Sequence, residues 1–113
     1  MRIEIKGRNL TVGDELRERV EKKFAKIGRQ ISPLAEMEIE LKEERNPSIR
    51  ERCVAEATLH LKGTTLRACE RSDDMANSVN LLSEDLHRQV KRHRDKRRRR
   101  RESARAQPQA GAP

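Results

Sequence analysis

The stretch "CVAEATLHLKGTTLRACE", residues 53–70, fixes more of the architecture than any other. Cys53, Ala55, Ala57, Leu59 and Leu61 alternate with Val54, Glu56, Thr58 and His60, the period of two that a half-buried strand requires. Lys62-Gly63 supplies a two-residue turn, and a return strand runs from Thr64 to Glu70. If the turn pairs Leu61 with Thr64, Leu59 stands opposite Leu66 and Ala57 opposite Ala68. A slip of one residue would put these side chains on the wrong face, so the pattern selects the register. The same register sets Cys69 opposite Glu56, on the other face of the sheet from Cys53. The two cysteines therefore cannot bond to each other, and both are read as reduced.

Working upstream, Met37, Ile39 and Leu41 alternate with Glu36, Glu38, Glu40 and Lys42, a second strand with one buried and one acidic face. A polar connection containing Asn46-Pro47 joins it to the hairpin. Met1 to Lys6 alternates in the same way, with Ile3 and Ile5 on one face, and "GRNL" ends that strand. Between these strands a helix begins near Thr11–Gly13, with Asp14 and Glu15 in its first turn, where the helix dipole favours anions. Leu16, Val20, Phe24 and Ile27 form one helical stripe, which Gly28 and Ser32-Pro33 bring to an end.

Downstream, Ser72 is a candidate cap for a last helix with Asp73 and Asp74 in its first turn and a stripe of Met75, Val79, Leu82, Leu86 and Val90. The order β-α-β-β-β-α predicts an α+β fold in two layers, with both helices on one face of a four-stranded sheet. The first crossover makes the first two strands parallel neighbours, and the hairpin is antiparallel.

The composition suits one small domain. The 113 residues are 33% apolar, and Phe24 is the sole aromatic, so the core must come from Leu, Ile, Val, Met and Ala. No apolar run is long enough to cross a bilayer, and the charged, alternating N-terminus has no export signal, so the expected compartment is the cytoplasm. Residues 1–97 are expected to form the domain, with 98–113 an arginine-rich extension and a disordered tail.

Charge is placed unevenly. Residues 1–90 hold 17 Lys and Arg against 17 Asp and Glu, whereas 91–101 hold nine basic residues against Asp95 alone. The whole net charge of +8 therefore resides in that short run. The last helix, continued to Arg101, would be about 43 Å long, of which only the first ~26 Å has an apolar face to dock. Its final turns should project, and on their own they should fray, because Arg94, Arg97, Arg98 and Arg101 repel at i,i+3 and i,i+4. A neutral body with a basic spike calls for a polyanionic partner.

Catalytic and metal-binding patterns are not legible. His60, His87 and His93 share no helical or strand face, and no CxxC, HExxH or glycine-rich phosphate loop occurs. The expected protein is not an enzyme and carries no cofactor and no metal. The basic residues are the informative set. On the first helix Lys22, Lys26 and Arg29 lie roughly opposite the apolar stripe, with Lys23 at its flank. Glu15–Arg19 and Glu18–Lys22 pairs account for part of this face but leave Lys23, Lys26 and Arg29 unexplained. On the last helix nine basic residues, Lys91, Arg92, Arg94, Lys96 and Arg97–Arg101, crowd into eleven positions, at a cost in helix stability. Phosphate would relieve their mutual repulsion, and guanidinium groups bind it in bidentate fashion. With Phe24 in the core there is no stacking platform for single-strand readout, so structured RNA, contacted through backbone and shape, is the expected partner. A membrane surface fits less well, because no hydrophobic residues accompany the basic run. A small-molecule substrate is not expected.

The layout resembles the ribosome hibernation-promoting factor family, also called ribosome-associated inhibitor or protein Y. The resemblance covers residues 1–97 and is carried by "MRIEIKGRN", "ELRERVEKKFAKI", "ATLHLKG", "DDM" at 73–75 and "RQVKRHRDK" at 88–96. It implies a β-α-β-β-β-α domain shaped like a double-stranded-RNA-binding domain. It also implies a protein that occupies the tRNA and messenger-RNA channel of the small ribosomal subunit and blocks translation in starved or stationary cells. The rRNA-facing residues carried over by position are Lys22, Lys23, Lys26, Arg88, Lys91, Arg92, Arg94 and Lys96; Arg29 and Arg97 join them from the charge pattern. The chain departs from the family at Ala76, where Tyr is usual, in the following Asn77-Ser78-Val79-Asn80, and in the unusually rich run Arg97–Arg101. Ending at Pro113, it resembles the short form. The alternative is a general structured-RNA-binding or ribosome-assembly protein; against the former, double-stranded-RNA-binding domains begin with a helix.

Overall fold

In the computed structural model, which describes residues 1–110 with side chains through Glu102, six elements follow one another. They are β1 (Arg2–Arg8), α1 (Asp14–Gly28), β2 (Glu36–Glu43), β3 (Cys53–Leu61), β4 (Thr64–Ser72) and α2 (Met75–Ala110). The strands form one sheet in the order β1-β2-β3-β4. β1 and β2 are parallel, and β2–β3 and β3–β4 are antiparallel. The hairpin register is the one its apolar pattern selects: Leu61 pairs with Thr64, Leu59 with Leu66, Ala57 with Ala68, and Glu56 with Cys69. Gly63 closes the turn at φ 78°, a left-handed conformation in which a side chain would be strained.

Both helices cover one face of the sheet. The core joins Ile5, Met37, Ile39, Leu41, Ala55, Ala57, Leu59 and Ala68 from the strands to Val20, Phe24 and Ile27 of α1 and Val79, Leu82, Leu86 and Val90 of α2. These are the sequence stripes, converged on one layer. The opposite sheet face carries charged rows, including a Lys6–Glu4 pair at 3.5 Å and a His60–Glu38 pair at 3.7 Å. Both cysteines are free, Cys69 exposed on this outer face. Burial pushes both thiols up, helped by Glu43 beside Cys53 and Glu56 beside Cys69, so neither is poised as a thiolate nucleophile.

Three boundaries differ from the sequence reading. β1 does not stop at Lys6 but runs through Gly7, which pairs with Leu41. A Cβ at Gly7 would sit 2.5 Å from the Leu10 carbonyl oxygen and 2.9 Å from Val12 Cγ2, so only glycine lets the chain fold back this closely. The break comes at Asn9, with φ 60°. At the other boundary, Ser72 is the last residue of β4 rather than the helix cap. Asp74 caps α2: its Oδ2 accepts from Asn77 N–H at 3.3 Å, and its carbonyl accepts the first helical bond, from Ser78 N–H at 3.0 Å. Ser72 instead joins a buried relay. Ser78 Oγ donates to the Cys53 carbonyl at 2.6 Å, and Ser72 Oγ lies 2.7 Å from Ser78 Oγ. Two hydroxyls thus tie the start of β3, the end of β4 and the first turn of α2. Lastly, α2 runs to Ala110, through residues 102–110 that the sequence pattern assigns to a tail, with Pro108 inside its last turn. The rest of that tail, 111–113, lies outside the described residues.

α2 runs antiparallel to β4, so its far end passes over the β3–β4 turn. Gln89 Nε2 donates to the Arg67 carbonyl at 2.8 Å, capping one of the free carbonyls on the β4 edge. Beyond Val90 no residue of the helix is buried as far as Glu102, and the molecule is drawn out to 68 × 28 × 18 Å. Among the described residues, no helix is long and apolar enough to cross a membrane.

Candidate nucleic-acid interface

The basic residues reach the surface because the apolar stripes turn inward. On α1, burial of Val20, Phe24 and Ile27 leaves Lys22, Lys26 and Arg29 exposed and Lys23 half-buried. Lys22 Nζ lies 3.4 Å from Glu18, an i,i+4 pair in open solvent worth only a few tenths of a kcal/mol, roughly. The second pair expected on this helix, Glu15–Arg19, does not close among the described residues.

α1 and α2 meet along a groove of about 400 Å³ lined by Lys23, Lys26, Ile27, Ser83, Glu84, His87 and Arg88. Gln30 Nε2 lies 3.4 Å from His87 Nδ1 and ties the end of α1 to the middle of α2. Arg88 is shared with the next cleft, about 480 Å³, which runs along the outer side of α2 past Lys91, Arg92, Asp95, Lys96 and Arg99. The two clefts form one continuous basic surface, interrupted only by Glu84 and Asp95. Of the ten residues expected in the site, Lys23, Lys26, Arg88, Lys91, Arg92 and Lys96 are brought together here. Lys22 lines a neighbouring cleft on α1 alone, with Glu15, Glu18 and Arg19. Arg29, just past the end of α1, and Arg94 are exposed without lining these clefts. Arg97 turns away, to the side of α2 that faces the hairpin.

The sequence reading missed Lys62 and did not separate Arg99 from Arg100. The signal was present. The spacing that carries Val79, Leu82, Leu86 and Val90 inward carries His93, Arg97 and Arg100 in the same direction, over the hairpin turn where Lys62 sits. The geometry suits binding to an extended anion: four lysines and three arginines at helical spacing line the two joined clefts. No cluster of three or more His, Cys, Asp or Glu side chains that could hold a metal occurs among the described residues.

Fold and surface together define a class: a two-layer α+β sandwich whose helical layer carries a continuous basic surface and ends in a projecting cationic helix. The chain belongs to the sigma 54 modulation protein / S30EA ribosomal protein family, which matches residues 3–98. It is 35% identical over 96 residues to the ribosome hibernation promotion factor of Staphylococcus aureus (strain COL), a match covering 83% of this chain and 48% of that protein. The chain thus spans about half the length of this curated relative. Its fold is similar to the crystal structure of the N-terminal domain of Thermus thermophilus protein Y, with TM-score 0.72 and 29% identity, covering 82% of this chain and 99% of that one. A ribosomal subunit interface protein from Coxiella burnetii gives TM-score 0.70 and 26% identity, covering 84% and 99%.

Proposed function

We propose that the chain is a non-enzymatic ribosome hibernation factor. It binds the small ribosomal subunit in the channel used by tRNA and messenger RNA, and it inhibits translation by steric exclusion in starved or stationary cells. Its place of action is then the cytoplasm, with rRNA and whole ribosomes as partners. Residues 1–97 form the ribosome-binding body, and 98–113 are an extension from it. The observation that carries this reading is the continuous basic surface from Lys23 to Arg99 on an otherwise neutral body, in a family whose related proteins are named for ribosome hibernation and the subunit interface. Phosphate contacts supply most of the affinity of such a surface, and exclusion of competing ligands needs no further chemistry.

The test is sucrose-gradient sedimentation of the protein with vacant ribosomes, with and without tRNA and messenger RNA. Co-sedimentation with small subunits, lost when the channel is filled, is the expected result. Protein that stays at the top of the gradient at low salt, or that rides equally well on filled ribosomes, overturns the channel reading. Replacing Arg97–Arg101 with Ala should flatten the salt dependence, each lost phosphate contact changing the log–log slope by roughly 0.7–0.9.

A further inference from the structure

The overhang of α2 creates a second basic cleft, on the side of the helix turned away from α1. It measures about 730 Å³, larger than the outer clefts, and lies between the β3–β4 turn and the helix. Lys62 stands on the turn, and Arg92, His93, Lys96, Arg97 and Arg100 stand on the helix above it. No carboxylate lines this cleft, unlike the two clefts of the outer surface, which hold Glu84 and Asp95. Its floor is open: Gly63 has no side chain, a Cβ there would meet no atom within 4 Å, and Thr64 adds a hydroxyl at the rim.

The origin of the cleft is a change of residue type along one helical stripe. Up to Val90 the inward-facing positions are apolar and rest on the sheet. From His93 onward the same positions are His93, Arg97 and Arg100, none of them buried, above the turn and the first residues of β4. Cations facing one another across a concave wall concentrate positive potential and repel. That arrangement costs stability in the free protein and is relieved by a polyanion seated between them.

We propose that the cleft between the β3–β4 turn and α2 is a second RNA-backbone site. α2 then runs between two phosphodiester strands, one on its outer face and one under its overhang, with Arg92 and Lys96, which line both clefts, reaching either. The RNA class of this partner rests on the ribosomal reading above. The site itself is defined by Lys62, which shares no element with the outer surface and lines only the hairpin side.

The experiment measures the salt dependence of binding for the wild type, Lys62→Ala, Lys62→Arg, Arg100→Ala and, for the outer face, Lys91→Ala. Each is tested against small ribosomal subunits and against a blunt RNA duplex of about 16 base pairs. The exposed positions chosen keep the fold, which an unchanged unfolding midpoint verifies. Lys62→Ala and Arg100→Ala should each lower the log–log slope by roughly 0.7–0.9, so that the ratio of affinities at about 50 and 200 mM salt shrinks about threefold; Lys62→Arg should restore it. An unchanged slope for Lys62→Ala on both RNAs overturns the site, even if Arg100→Ala weakens binding, because the helix would then be touching RNA without the turn. If the wild type binds the duplex but not the subunits, the ribosomal reading falls, and the cleft is judged on the duplex alone. If the wild type binds neither, both proposals fall.

Discussion

Met75–Val90 and Lys91–Glu102 belong to one unbroken helix, yet they are held by different forces. In the first segment Val79, Leu82 and Leu86 are fully buried and Val90 is 1% exposed, and the helix is fixed by the sheet beneath it. In the second, residues 96–102 are all exposed, and cations three and four apart oppose one another. The first segment would be helical whatever partner the protein meets, because its stability is tertiary. The second has only propensity in its favour and charge against it. A domain can thus keep a neutral, self-sufficient body and still present a charged arm in a fixed direction, by letting one helix outrun its sheet.

The contrast can be broken most severely at Leu86. Truncation to Ala should cost about 2–5 kcal/mol, as cavity-forming substitutions in packed cores do, whereas Arg98→Ala should change stability by less than about 0.5 kcal/mol. Urea unfolding of the two variants measures both; equal losses would mean that the projecting segment is packed after all. A smaller effect is expected at the root of the docked segment. Ser78→Ala removes the donor to the Cys53 carbonyl and leaves Ser72 one fewer partner in a buried site, at a cost of about 1–3 kcal/mol. Ser72→Ala should cost less, because Ser78 keeps its bond to Cys53.

The smallest effect sharpens the comparison through pH. Glu70 on β4 lies beside Asp85 in the docked segment; partial burial raises its carboxyl above the ordinary value, Asp85 adds to the shift through a shared hydrogen bond and charge repulsion, and Arg88 opposes it. A raised carboxyl binds its proton more tightly in the folded state than in the unfolded state. Its penalty is therefore fully present above the folded value and disappears as pH falls through the carboxylate range. After solvent screening, Glu70→Gln should stabilise the protein by roughly 0.5 kcal/mol at neutral pH, with the gain fading in acid. Unfolding curves at several pH values report it, and a gain that grows on acidification would contradict the assignment.

The hairpin register, the parallel pairing of β1 with β2 and the composition of the core were all legible, because a two-residue turn and strict alternation leave a strand few ways to pair. The cap of α2 was not. Ser72, Asp73 and Asp74 are all competent caps by type, and the choice is made by Ser78, six residues on, which draws Ser72 into the sheet. The end of β1 was obscured by reading Gly7 as a breaker, when its lack of a side chain is what admits the returning chain at Leu10 and Val12. Of the candidate interface, the basic identities were readable from charge, but their division between two sides of α2 was not. Helical spacing gives an angle around the axis and does not say where the sheet stops, and Lys62 enters the surface only through the path of α2 across the turn.

The asymmetry of this molecule also bears on how it arrives at a partner. With its net charge gathered at one end of a body 68 Å long, it behaves in the field of a polyanion less like a point charge than like a compass needle. The field exerts a torque that swings the arginine-bearing tip forward before contact, so that a larger share of collisions begins with that tip foremost. Added salt shortens the reach of that torque to about a nanometre and acts first on the rate of arrival.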